Sequence, residues 1–191
     1  MVNDIANQLL RLALERGALR YGDFTLTSGR KSPYYFDGRL LSLDPEGAYL
    51  VGQVLLPLVR ASGAQAIGGP TLGADPIVTA VALASHLDQG PDRGGIPAFI
   101  VRKEAKAHGT GQAIEGPLQP GSRVAIVDDT CTTGGSLLQA IEAAEAAGCT
   151  VVKALALLDR QEGGGAELAR RGYDFTPILV ANSSGEIVAA A

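Results

Sequence analysis

The chain has 191 residues, 46% hydrophobic and 19% charged, with a formal net charge of −4. That length suffices for one domain with a full hydrophobic core, and the lack of a basic tail argues against general affinity for nucleic acid. Cys131 and Cys149 have neither CxxC spacing nor neighbouring histidines, and no apolar run is long enough to span a bilayer, so neither a zinc site nor a membrane protein is expected.

Asn3 and Asp4 precede an amphipathic run, not a continuously apolar one, which does not read as a signal peptide; a cytoplasmic enzyme or binding protein is expected. Over residues 4–16, Ile5, Leu9, Leu12 and Leu14 roughly follow a helical period. Residues 21–39 are short, mixed and punctuated by glycine and proline, the pattern of a small extended flap. Asp44-Pro45 supplies an N-cap and a proline at the first helical position, predicting a helix to about residue 62. The alternation then becomes regular. Strands are expected at 64–68, 98–102, 123–127, 151–158 and 178–181, with helices at 75–87, 134–147 and 166–171 and a polar, glycine-containing loop over 103–121. Apolar strands alternating with helices specify an α/β fold, a parallel sheet flanked by helices. The ligand crevice then lies at the carboxyl ends of the strands. One domain is expected over 1–191, with residues 18–42 as a hood over that crevice.

The most informative segment is VAIVDDTCTTGGS, residues 124–136. VAIV reads as a buried strand, Asp128-Asp129 as the residues just beyond it, Thr130, Cys131, Thr132, Thr133, Gly134 and Gly135 as a turn, and Ser136 as the start of a helix. Backbone N–H groups at such a turn form an anion cradle backed by the helix N-terminus. Two carboxylates beside a phosphate repel it unless they face sugar hydroxyls, so a ribose phosphate satisfies both halves. A P-loop is excluded, because GxxxxGK[ST] occurs nowhere.

This segment resembles the phosphoribosyl pyrophosphate signature of type I phosphoribosyltransferases. FTLTSGRKSPYYFDGR, VRKEAKAHG and LDRQEGG, in that order, are similar to orotate phosphoribosyltransferases. The resemblance implies transfer of the phosphoribosyl group to orotate, giving orotidine 5-phosphate and pyrophosphate in pyrimidine biosynthesis. Mg2+ would enter with the pyrophosphate, without direct protein ligands. It also implies a homodimer whose basic loop reaches the neighbouring site. Carried over residue by residue, Arg102, Lys103, Lys106 and His108 would face the pyrophosphate, and Thr71, Leu72 and Gly73 would form a pyrophosphate loop with a non-proline cis bond. Asp128 and Asp129 would hold the ribose, with residues 130–136 around its phosphate. Lys103, Lys106, His108, Asp128 and Asp129 form the catalytic set, and Tyr34, Tyr35, Thr132 and Arg160 the orotate set. Asp75 is open to two roles, a helix cap or a contact to a magnesium-bound water. Many relatives carry lysine where this chain has Thr27 and Gly73, so part of the usual charge is missing. A phosphoribosyltransferase for another base and a non-catalytic sensor of the sugar phosphate are the competing readings.

Overall fold

In the computed structural model, which describes residues 2–25, 29–88, 94–102 and 113–190, the apolar runs join into one sheet with helices on both faces. Helix α1 (Val2–Glu15) buries Ala6, Leu9, Leu12 and Ala13, while Leu14, expected on that face, is exposed. Strands β1 (Leu19–Thr25) and β2 (Lys31–Phe36) form a separate antiparallel pair, from Leu19↔Phe36 to Thr25↔Lys31. This pair is the expected flap. A short helix α2 (Gly38–Ser42) follows, capped by Asp37. It is too brief to carry a readable period. Helix α3 (Pro45–Ala61) starts as predicted: the Asp44 carboxylate accepts from the Glu46 and Gly47 N–H groups, each at 3.0 Å.

The main sheet contains β3 (Ala66–Pro70), β4 (Ala98–Val101), β5 (Ile114–Glu115), β6 (Arg123–Cys131), β7 (Thr150–Asp159), β8 (Phe175–Ala181) and β9 (Ile187–Ala189). Helices α4 (Asp75–Leu87), α5 (Gly135–Ala146) and α6 (Gly164–Arg170) connect them. The spatial order is β5-β4-β3-β6-β7-β8-β9. The five inner strands are parallel; β5 and β9 are antiparallel edges, both too short to be read from alternation. Alternate residues face opposite layers. Ile67, Ala125, Val127, Leu155 and Leu157 pack toward α1, α3 and α4, while Ala66, Val124, Ile126, Ala154 and Ala156 pack with Leu137, Ile141 and Ala144 of α5. Full burial of each large aliphatic side chain is worth about 1.5–3 kcal/mol, and continuous apolar strands are what a doubly covered sheet requires.

Two boundary differences bear on function. Strand β3 begins two residues later than expected and runs to Pro70. Strand β6 runs through Asp128 and Asp129 to Cys131, because β7 keeps pairing as far as Cys131↔Asp159. The acidic pair is therefore fixed inside the sheet ladder, not in the turn beyond it. The sheet order reverses direction between β3 and β6, which places the crevice of an open α/β sheet at their carboxyl ends. Among the described residues no helix is long and apolar enough to cross a membrane.

Candidate active site

At that reversal lies a cavity of about 850 Å³. Strand β6 contributes Asp128, Asp129 and Thr130, the segment after β3 contributes Thr71, Leu72 and Gly73, and α4 contributes Asp75. Arg102 enters from the end of β4, Tyr35 from β2 and Arg39 from α2. The Thr71–Leu72 peptide bond is cis, as the family resemblance implies. A smaller adjoining concavity of about 170 Å³ is lined by residues 130–137. Thr130 and Ser136 line both spaces.

The cradle is built by backbone. Gly134 is the N-cap of α5 at φ 84°, in the left-handed region, and among the described residues no side chain caps the helix there. The leading N–H groups of α5 are thus left to the concavity, where an anion can accept from them. The turn is braced from below by the segment after β7: Gly164 N–H donates to the Thr132 carbonyl at 3.0 Å, and Arg160 N–H to the Cys131 carbonyl at 2.9 Å. A Cβ at Gly164 would lie 2.4 Å from Cys131 Sγ and 2.8 Å from the Gly134 nitrogen. Cys131 itself is buried, and burial pushes its thiol up to about 12, so it fills space beneath the cradle as an unreactive group.

The carboxylates have different environments. Asp128 is buried, and one of its oxygens accepts the Asp129 N–H at 2.9 Å. Burial raises the Asp129 carboxyl above the ordinary carboxylate value; hydrogen bonds to Asp128 and from the Thr130 backbone only partly oppose it. Asp75 Oδ2 accepts from the Thr71 hydroxyl at 2.9 Å, while its Oδ1 is buried with no hydrogen-bond partner among the described residues. Asp75 does not cap α4, whose N-cap is Ala74.

The four residues expected at the base are divided among three spaces. Tyr35 lines the large cavity, and its ring lies 5.7 Å from that of Phe24. Thr132 lines the cradle. Tyr34 and Arg160 border a third cavity of about 400 Å³ beside the flap. There the Arg160 guanidinium lies 4.5 Å from the Tyr34 ring centre, its Nε donates to Glu162 at 3.0 Å and its Nη2 to Ser32 Oγ at 3.0 Å. Glu162 also pairs with Arg30. Burial would raise the Glu162 carboxyl, but the two guanidiniums outweigh it and hold it below the usual range. Sequence reasoning placed neither Glu162 nor Arg39 in the site. Lys103, Lys106, His108 and Thr27 lie outside the described residues. Arg102, last before them, pairs with Glu115 at 3.4 Å.

Residues 74–174 match the phosphoribosyl transferase domain family. The chain is 49% identical over 177 residues to the orotate phosphoribosyltransferase of Thermosynechococcus vestitus, covering 92% of this chain and 90% of that one. It is 40% identical over 194 residues to that of Rhodopirellula baltica, covering 97% and 98%. Its fold is similar to that of Mycobacterium tuberculosis H37Rv orotate phosphoribosyltransferase solved in complex with 5-phospho-alpha-D-ribosyl 1-diphosphate. The TM-score is 0.75 at 33% identity, covering 92% of this chain and 96% of that one.

Proposed function

Since the chain belongs to the orotate phosphoribosyltransferase family, we propose that its cavity at the β3–β6 reversal is where orotate and phosphoribosyl pyrophosphate react. The protein is a transferase that moves the phosphoribosyl group onto orotate, yielding orotidine 5-phosphate and pyrophosphate for pyrimidine biosynthesis. The observation that carries the site assignment is the meeting of three features around one crevice: the acidic pair of β6, the loop after β3 and the open N-terminus of α5.

In this reading the cradle of Thr130, Cys131, Thr132, Thr133, Gly134, Gly135 and Ser136 holds the 5-phosphate. Asp128 and Asp129 accept from the ribose hydroxyls and favour positive charge on the ring. A base nitrogen bonds to the anomeric carbon, the bond from that carbon to the pyrophosphate oxygen breaks, and its electron pair departs with pyrophosphate. The nitrogen's proton goes to solvent. No covalent enzyme intermediate is needed, so catalysis is positional and electrostatic. Arg102, Lys103, Lys106 and His108 neutralise the leaving group, with the backbone of Thr71, Leu72 and Gly73 beside it. Tyr34, Tyr35, Thr132 and Arg160 serve the base, Arg160 through its affinity for a carboxylate.

Phosphoribosyltransferases generally use Mg2+ with this sugar pyrophosphate. Asp75 lines the cavity, and its Oδ1, without a hydrogen-bond partner among the described residues, fits as an acceptor for a water of a hydrated Mg2+. Bound to the substrate's phosphates, the ion would spread their charge. The reading includes one domain with residues 18–42 as a hood. It also includes a cytoplasmic setting, which the two free buried cysteines support. The assembly is a homodimer in which the basic loop enters the neighbouring site. Exposed Leu40, Leu43, Tyr49, Leu83 and Leu87 on and beside α2, α3 and α4 support an apolar contact.

Purified protein supplied with Mg2+ and phosphoribosyl pyrophosphate should consume orotate, seen as loss of its ultraviolet absorbance. Conversion of a purine base with orotate untouched would refute the assignment to orotate. Binding of the sugar phosphate without turnover of any base would point to a sensor.

A further inference from the structure

Position 73, beside the acidic pair, is glycine in this chain and supplies no charge to the pyrophosphate. The space a side chain would take there is occupied: a Cβ on Gly73 would lie 2.8 Å from Asp129 Oδ1. On another side of the same carboxylate, a Cβ on Gly38 would lie 2.7 Å from the Asp129 Cβ. The first residues of α2 are thereby pressed against the acidic pair, and the next side chain, Arg39, lines the large cavity together with Thr71, Leu72 and Gly73.

The Arg39 guanidinium is held in a fixed plane. Its Nε donates to Asp37 Oδ1 at 2.9 Å and its Nη2 to Asp37 Oδ2 at 3.0 Å, a two-point fork. Nη1 takes no hydrogen-bond partner among the described residues. The side chain is half exposed, so it can meet a ligand without first breaking a buried contact. Arg39 and Arg102 are the two cationic side chains among the described residues that line this cavity. A guanidinium is less strongly hydrated than an ammonium and presents a planar set of donors to phosphate oxygens.

We propose that Arg39 is a pyrophosphate-binding residue of this chain, supplying from α2 the cationic contact that position 73 lacks, with Asp37 as its positioning partner. The proposal rests on the phosphoribosyl-transfer reading of the cavity. Arg39 binds the diphosphate end of the donor and the released pyrophosphate, and it does not touch the 5-phosphate held in the cradle.

The test compares three ligands on the full chain: phosphoribosyl pyrophosphate, inorganic pyrophosphate and ribose 5-phosphate, each titrated by calorimetry with Mg2+ present. Arg39→Gln should weaken the first two about tenfold and leave ribose 5-phosphate binding and the melting temperature unchanged. Arg39→Lys should recover part of the loss. Unchanged pyrophosphate affinity in Arg39→Gln would overturn the proposal and leave Arg39 as a surface ion pair. An equal loss for ribose 5-phosphate would also overturn it, since a diphosphate contact cannot act on a ligand without one. Orotate consumption by the unsubstituted chain is read separately, so failure of the family reading is distinguishable from failure of this contact.

Discussion

The Asp129 carboxylate lies against Gly73, close enough that a Cβ there would sit 2.8 Å from two of its atoms, Cγ and Oδ1. The loop after β3 and the acidic pair of β6 are therefore built to one another, across the point where the sheet order reverses. Gly73→Ala should displace the carboxylate by rotation, because a side-chain end yields more readily than backbone. The expected result is a fall in kcat/KM of about tenfold or more, on the order of 1.4 kcal/mol, with a melting temperature within a few degrees of the parent. Full activity in this variant would mean that the position of Asp129 is not critical.

Asp129 also gives a prediction with a definite pH sign. Burial raises its carboxyl in the folded chain, so ionising it there opposes folding. Stability is then lost as pH rises from the ordinary aspartate value, about 3.9, through the raised native value. Asp129→Asn removes that cost. The variant should melt higher than the parent at pH 7, the gap should close near pH 4, and turnover should fall by orders of magnitude. A lower melting temperature at pH 7 would show that Asp129 is held by stabilising contacts that outweigh its burial.

The cradle was legible because its chemistry is local. Four apolar residues, two acids, a hydroxyl-rich stretch with two glycines and the start of a helix occupy consecutive positions, and the fold brings residues 130–137 around one concavity. Arg160 was legible as a cation after a buried strand, with Glu162 two positions on as a local ion-pair partner, but the rest of the cluster was not: Ser32 lies 128 positions away, and Arg30 reaches Glu162 across 132. Only the docking of the flap beside the end of β7 creates that cluster. The extension of β6 through Cys131 was hidden for a similar reason, since strand length there is set by pairing with β7, not by the polarity of Asp128 and Asp129. Arg39 carried no signal at all beyond its charge, because its importance depends on what Gly38 touches.

Glu162 joins two arginines, one on the flap side and one after β7, and the pairing fixes the plane of Arg160 over Tyr34. Glu162→Gln keeps one hydrogen-bond acceptor and loses the charge that serves both guanidiniums. KM for orotate should rise roughly tenfold, as expected for loss of a charge-assisted contact, while KM for phosphoribosyl pyrophosphate stays within twofold. Because the Glu162 carboxyl is held below its usual range, its stabilisation is present above the ordinary glutamate value and lost as pH falls through the depressed one. The variant should therefore melt lower than the parent at pH 7, with the difference shrinking once pH falls below the ordinary glutamate value of about 4.3 and vanishing only below the depressed native one. Equal changes in both KM values would identify Glu162 as a general support of the fold.

The dimer reading makes the strongest demand on this chain, because it assigns the two halves of one site to different subunits. Lys103 belongs to the basic loop expected from the sequence and Asp129 to the sheet, so on this reading Lys103→Ala and Asp129→Asn damage opposite halves. In a dimer with shared sites, mixing and re-equilibrating the two inactive variants gives heterodimers in which one site collects both lesions and the other collects none. If subunits exchange freely, half the dimers are mixed and half their sites are intact, so about a quarter of the parental activity should return. Recovery should follow subunit exchange in time, and it should be absent when either variant is mixed with itself. If the loop serves its own subunit, every site keeps one lesion and the mixture stays inactive, however complete the exchange. The mixing experiment thus separates a loop that closes over its own cavity from one that completes its neighbour's.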